Sequence, residues 1–130
     1  MGVVQQMYEL SLYVTENGRI PVKDFLRDLQ KKNKQNDINA IKIYLDRLKE
    51  YGPEIDHYFP KSTRKLNREG LWELRPGGNR VFFFYFSGNR IMLLHAYQKQ
   101  GQKTPQTELE KAMREMKDCK RRAQDEKRFI

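Results

Sequence analysis

Residues 71–105, LWELRPGGNRVFFFYFSGNRIMLLHAYQKQGQKTP, constrain the fold of this chain more than any other stretch. Three runs, 71–75, 80–86 and 90–98, are rich in aromatic and branched side chains, which suit the pleated, half-buried surface of a strand. The breaks between them carry Pro-Gly-Gly-Asn and Gly-Asn, residues that supply the preset or positive φ of tight turns. The expectation is a three-stranded antiparallel meander. If residues 76–79 form a four-residue loop, Arg75 stands opposite Arg80. If Gly88-Asn89 is a two-residue turn, Ser87 faces Arg90, and Phe84, Phe82 and Arg80 face Leu93, His95 and Tyr97. Cross-strand partners share a face, so one row reads Arg75, Arg80, Tyr97. Like charges directly opposite each other cost a hairpin a few tenths to ~1 kcal/mol. Two guanidiniums beside a phenol therefore point to an anion, for which phosphate is the natural candidate. The plain alternative is a pair of solvated strand-end arginines, which a one-residue slip in either turn would separate.

The flanking segments supply support. Residues 8–15 alternate, with Tyr8, Leu10, Leu12 and Val14 on one side, and read as a first strand. Pro21 opens a helix over about residues 21–32 whose Val22, Phe25, Leu26 and Leu29 share a face. Asp37 is placed to cap a second helix, marked by Ile38, Ile41, Tyr44, Leu45 and Leu48 and ended by Gly52-Pro53. Two such helices joined by a short polar loop form a hairpin that can cover one face of a sheet. Residues 54–68 show no regular pattern and bring Lys61, Arg64, Lys65 and Arg68 up to the proposed anion row, as phosphate contacts or as a solvated face.

Beyond the meander, Thr104 can cap a last helix with Pro105 at its first position, and Thr107-x-x-Glu110 offers a second start. Leu109, Ala112, Met113 and Met116 make its apolar stripe. From Lys117 the periodicity fades, so a single domain over residues 1–116 with a frayed basic tail over 117–130 is expected. The fold class is α+β: one N-terminal strand, a helical hairpin, a three-stranded antiparallel meander and a C-terminal helix.

Composition decides what kind of partner such a domain takes. A net charge of +9 over 130 residues points to nucleic acid or an acidic protein, and an aromatic content of 12% argues for a folded body. Cys119 is the single cysteine, so no internal disulfide can form; a reducing cytoplasm is the expected home and a passive thiol the expected role. The start, MGVVQQMYEL, lacks the pattern of a secretory leader, and no apolar run approaches the ~20 residues that span a bilayer. His57 and His95 are not at metal-ligand spacing and have no carboxylate cluster beside them in sequence, so neither a metal nor another cofactor is expected.

Three linked motifs, LWELR, NRVFFFY and LLHAYQKQGQKTP, follow a strand and two helices and precede a helix. In this order they resemble the RelE/ParE toxin superfamily, most closely the phage-derived HigB-like branch of toxin–antitoxin systems, over about residues 8–116. The resemblance implies a RelE-like fold and a ribosome-dependent mRNA endoribonuclease. In that reaction, which needs no metal, the ribose 2′-hydroxyl attacks the adjacent phosphate. It also implies a helix-turn-helix antitoxin as partner, contact with ribosome and mRNA, no membrane, and operator DNA reached only through the antitoxin. Carried over by position, Arg75 and Arg80 match the family's phosphate-contacting arginines, Tyr97 its aromatic strand end, and Lys99 and Lys103 the basic residues that follow.

The chemistry fits these residue types independently. Fixed arginines stabilise the charge that builds on a phosphorane more than they stabilise the ground state. A lysine crowded by cations gives up its proton more easily, which makes Lys99 or Lys103 a candidate base, while Tyr97 can stack on a nucleobase or donate a proton. His95 is the alternative, weighed against a structural histidine between Leu94 and Ala96. Three other readings stay open: a ParE-like gyrase inhibitor without catalysis, an RNA-binding module, and an inactive relative acting as a corepressor.

Overall fold

The computed structural model describes residues 7–128; the opening residues 1–6, part of the segment without a leader pattern, and the last two of the expected tail lie outside the described residues. In chain order the elements are β1 (Glu9–Leu12), α1 (Pro21–Lys31), α2 (Gln35–Tyr51), a 3-10 turn (Gly52–Glu54), α3 (Ile55–Tyr58), β2 (Thr63–Lys65), β3 (Trp72–Leu74), β4 (Asn79–Tyr85), β5 (Arg90–Gln98) and α4 (Gln106–Arg128). One five-stranded sheet runs β1-β5-β4-β3-β2. β1 lies parallel to β5, with Leu10 opposite Ile91 and Leu12 opposite Leu93, and the other pairs are antiparallel. The expected meander is β3–β5, and the two helices of the hairpin fall where the apolar spacing put them; the N-terminal strand is shorter than the expected 8–15, ending at Leu12 and leaving Val14 exposed.

Period-two alternation divides the sheet into two cores. On one face Leu74, Val81, Phe83, Ile91 and Leu93 pack with Val22 of α1, Leu48 of α2 and Ile55 of α3. On the other, Phe82, Phe84 and Leu94 pack with Ala112, Met116 and Cys119 of α4. Leu29, Ile38 and Ile41 fill the seam between α1 and α2. Gly52 closes α2 with φ 52, and a Cβ there would come 2.3 Å from the Tyr8 ring, so glycine is required by conformation and by space.

Several expectations are corrected. Residues 54–68 are not irregular: they hold α3 and β2, and β2 adds to the meander with Arg64 opposite Glu73. Asp37 does not cap α2, which starts at Gln35; its carboxylate accepts a hydrogen bond from Asn79 Nδ2 at 2.9 Å. Thr104 does not cap α4 either, since its hydroxyl donates to Glu73 and the helix begins at Gln106. The segment from Lys117 is not frayed at its start, because α4 runs on to Arg128 with Cys119 buried and Asp118 accepting a hydrogen bond from the Tyr13 hydroxyl at 2.7 Å.

The register of β4 against β5 carries the most information. Phe86 N–H donates to the Arg90 carbonyl, so near the turn Tyr85 pairs with Ile91 and Phe84 with Met92, one residue away from the expected Leu93. Between Val81 and Phe83 the pairing shifts back, with Leu94 and His95 sharing the place opposite Phe82. This β-bulge cancels the offset from the turn, and Arg80 faces Tyr97 as the simple count expects.

Candidate active site

Four strand ends meet at one edge of the sheet. β3 pairs with β4 through Leu74 opposite Val81, which carries Arg75 to the place facing Arg80, and Arg80 faces Tyr97 on β5. Alternation puts these side chains on the α4 face together with Glu73, the partner of Phe82. Arg64 joins them from β2 opposite Glu73, and the connection from β5 to α4 brings in Lys99 and Lys103. A small cleft is lined by Arg64, Glu73, Arg75, Arg80, Tyr97, Lys99, Lys103 and Thr104, with Gly101 and Gln102 at the loop.

The arginines are held differently. Arg80 is buried: its Nη1 donates to the carbonyls of Gly77 at 2.8 Å and Asn79 at 2.7 Å, and its Nε lies 4.0 Å from Glu73 Oε2. Burial pushes its guanidinium below the ordinary value, Glu73 works against that shift and Arg75 adds to it. Arg75 is half-buried, its backbone N–H fixed to the Ser62 carbonyl, and its buried Nε donates to no acceptor among the described residues. A buried donor without a partner is costly in a folded protein.

Glu73 sits beneath the cations, 2% exposed. Its Oε1 accepts hydrogen bonds from the Tyr97 hydroxyl at 3.2 Å and the Thr104 hydroxyl at 3.0 Å. Burial raises the Tyr97 phenol to about 12, opposed by the Thr104 hydroxyl and reinforced by the Glu73 charge, so near neutral pH Tyr97 can donate a proton but not accept one. Its ring stacks on Phe82 at 5.5 Å between centroids, which fixes the plane of the phenol.

The structure thus brings together Arg75, Arg80, Tyr97, Lys99 and Lys103 and adds Arg64. It leaves out three of the four residues proposed for RNA contact. Lys65 stands opposite Trp72 and so points to the α1–α2 face, while Lys61 and Arg68 are exposed in the connections on either side of β2. His95 lies outside the cleft lining. It is buried against α4, with Nδ1 2.5 Å from Glu115 Oε1 and Nε2 2.8 Å from Glu108 Oε2. Glu73 was not singled out from the sequence, and Thr104 only as a helix cap. The signal for Glu73 was present, since residue i of a strand shares its face with residue i+2, here Arg75. Among the described residues no group of histidine, cysteine and carboxylate side chains could hold a metal.

A mixed α+β domain with an N-terminal strand, helices, an antiparallel sheet and a closing helix, bearing a cationic cleft at one sheet edge, has the architecture of the RelE-like toxins. Residues 24–117 match the model of the family described as phage derived protein Gp49-like (DUF891), and the chain belongs to that family, a RelE-like toxin family of toxin–antitoxin systems. No curated protein matches the chain.

Proposed function

We propose that this protein is a HigB-like toxin that cleaves mRNA on the translating ribosome, in the cytoplasm, and that a helix-turn-helix antitoxin neutralises it and alone brings it to operator DNA. The observation that supports this reading best is the single cleft that holds Arg75, Arg80, Tyr97, Lys99 and Lys103 on one face of the sheet. The message phosphate lies across the guanidiniums of Arg75 and Arg80. The 2′-hydroxyl attacks in line and its proton passes to Lys99 or Lys103 in its uncharged amine form. Charge builds on the phosphorane, and the two guanidiniums stabilise it more than the diester. The 5′-oxygen leaves with a proton from Tyr97, whose raised pKa keeps that proton available. The products are a 2′,3′-cyclic phosphate and a 5′-hydroxyl.

The test is to add purified protein to translating ribosomes and map the ends of the message. New 5′-hydroxyl ends within the reading frame support the proposal, and Arg80→Ala should remove them. Intact message with a growth arrest relieved by gyrase overexpression would instead favour a ParE-like inhibitor. Cleavage at wild-type rate by Arg80→Ala would remove the arginine row from the mechanism.

A further inference from the structure

Glu73 is out of place in a cleft that would bind an anion. A carboxylate that is 2% exposed costs several kcal/mol unless charge and hydrogen bonds compensate it. Its partners come from three separate segments: Arg80 at the start of β4, Tyr97 at the end of β5, and Thr104 just before α4. The loop between the last two carries Lys99 and Lys103, which are exposed. Apart from Glu73, the loop is tied to the sheet by the Lys99 N–H, which donates to the Gly78 carbonyl at 2.9 Å.

We propose that Glu73 is a positioning residue, the resident counter-anion of the cleft, which binds the Tyr97 and Thr104 hydroxyls and so holds the loop of Lys99 and Lys103 against the arginine row. The inference rests on reading the cleft as an RNA-cleaving site and names how that site is ordered and how its affinity is limited. Two consequences follow from the charge and the geometry. Because Glu73 carries the same sign as a phosphodiester, it weakens ground-state binding of RNA. Because it accepts from two hydroxyls, it fixes the phenol and the lysine loop before RNA arrives, and the correct arrangement is not assembled at the moment of reaction. A residue that only balanced the Arg80 charge would lower affinity too, but would not hold the loop.

The experiment compares Glu73→Gln and Thr104→Val with wild type in the full chain. Glutamine keeps an acceptor oxygen and removes the charge; valine removes one donor and leaves the charge. Affinity is measured for an RNA fully 2′-O-methylated and therefore uncleavable, and hydrogen exchange is followed over residues 99–104. Single-turnover cleavage is read on ribosomes with the unmodified message. Glu73→Gln should bind the methylated RNA about tenfold more tightly, as expected when one screened like charge is removed. Thr104→Val should speed exchange at the Lys99 amide and slow cleavage. Unchanged or weaker binding by Glu73→Gln, or loop exchange and cleavage at wild-type levels in Thr104→Val, would overturn the proposal. If Glu73→Gln does not fold, the Thr104→Val measurements alone decide. If the wild-type protein cleaves no message, the nuclease reading falls, while affinity and exchange still decide the role of Glu73.

Discussion

Arg75 and Arg80 face each other across two strands, yet their surroundings give their substitutions different outcomes. Arg80 is enclosed and shares its burial with Glu73, so Arg80→Ala strands a carboxylate in the interior. Removing one member of a buried pair costs about 3–5 kcal/mol, and the 4.0 Å separation here places the loss at the lower end, roughly 3 kcal/mol. Arg75 is half-buried and its Nε has no partner to lose, so Arg75→Ala should unfold in urea within about 1 kcal/mol of wild type while cleavage falls as far as in Arg80→Ala. Equal stability of the two variants would contradict the buried Arg80–Glu73 contact. Lysine at either position should restore cleavage only in part, because an ammonium lacks the planar fork. Tyr97→Phe keeps the stacking on Phe82 and removes the proton, and should slow single-turnover cleavage by about two orders of magnitude.

Among the elements, β5 and α4 show where sequence reasoning reaches and where it stops. Counting from Gly88-Asn89 puts Arg80 opposite Tyr97, but through a register that no simple count contains. Two irregularities of one residue compensate each other, and pairing rules cannot foresee a bulge at Leu94 and His95. The bulge has a packing reason: it turns both Leu94 and His95 toward α4, where Leu94 fills the core and His95 meets Glu108 and Glu115. A neutral imidazole has one N–H, so the two contacts require either an imidazolium that donates to both carboxylates, or a neutral ring that donates to one and accepts from the protonated carboxyl of the other. These contacts dock α4, and His95→Gln should lower the urea midpoint while the folded fraction cleaves at near wild-type rate; a well-folded but inactive His95→Gln would place the histidine in the chemistry after all. The length of α4 was legible in part, since Cys119 continues the 109, 112, 116 spacing and a cysteine packs as a small apolar side chain. The short β2 was not legible, because three residues carry too little alternation and its pairing is set by β3.

At the scale of the whole molecule, one buried thiol and three phenols tie stability to alkaline pH. The Cys119 thiol is pushed up from 9.0 to about 11, chiefly by burial and then by Asp118, and the Tyr97 phenol from 10.0 to about 12. Burial also raises Tyr13 and Tyr85 well above the ordinary phenol range. In each case the neutral form is favoured in the folded protein, so the unfolded chain releases its proton first. Between pH 9 and about 11 the folded state therefore holds more protons at Cys119 than the unfolded state, and stability must fall as pH rises. The contribution is complete below pH 9 and is lost as pH passes through the folded value; Tyr97 extends the decline from pH 10 to about 12. Lysines that lose charge in the upper part of this range act in the opposite direction, because a chain of net charge +9 repels itself less as it is neutralised. The sum of the two is not a clean test, but the difference between wild type and Cys119→Ala is. Urea midpoints of both proteins should run parallel up to pH 9; above it the wild-type midpoint should fall more steeply, with the gap between the curves changing most between pH 9 and about 11. Parallel curves across that window would mean that the thiol ionises in the folded protein as readily as in the unfolded chain, and that the α4 face around Cys119 is open to water.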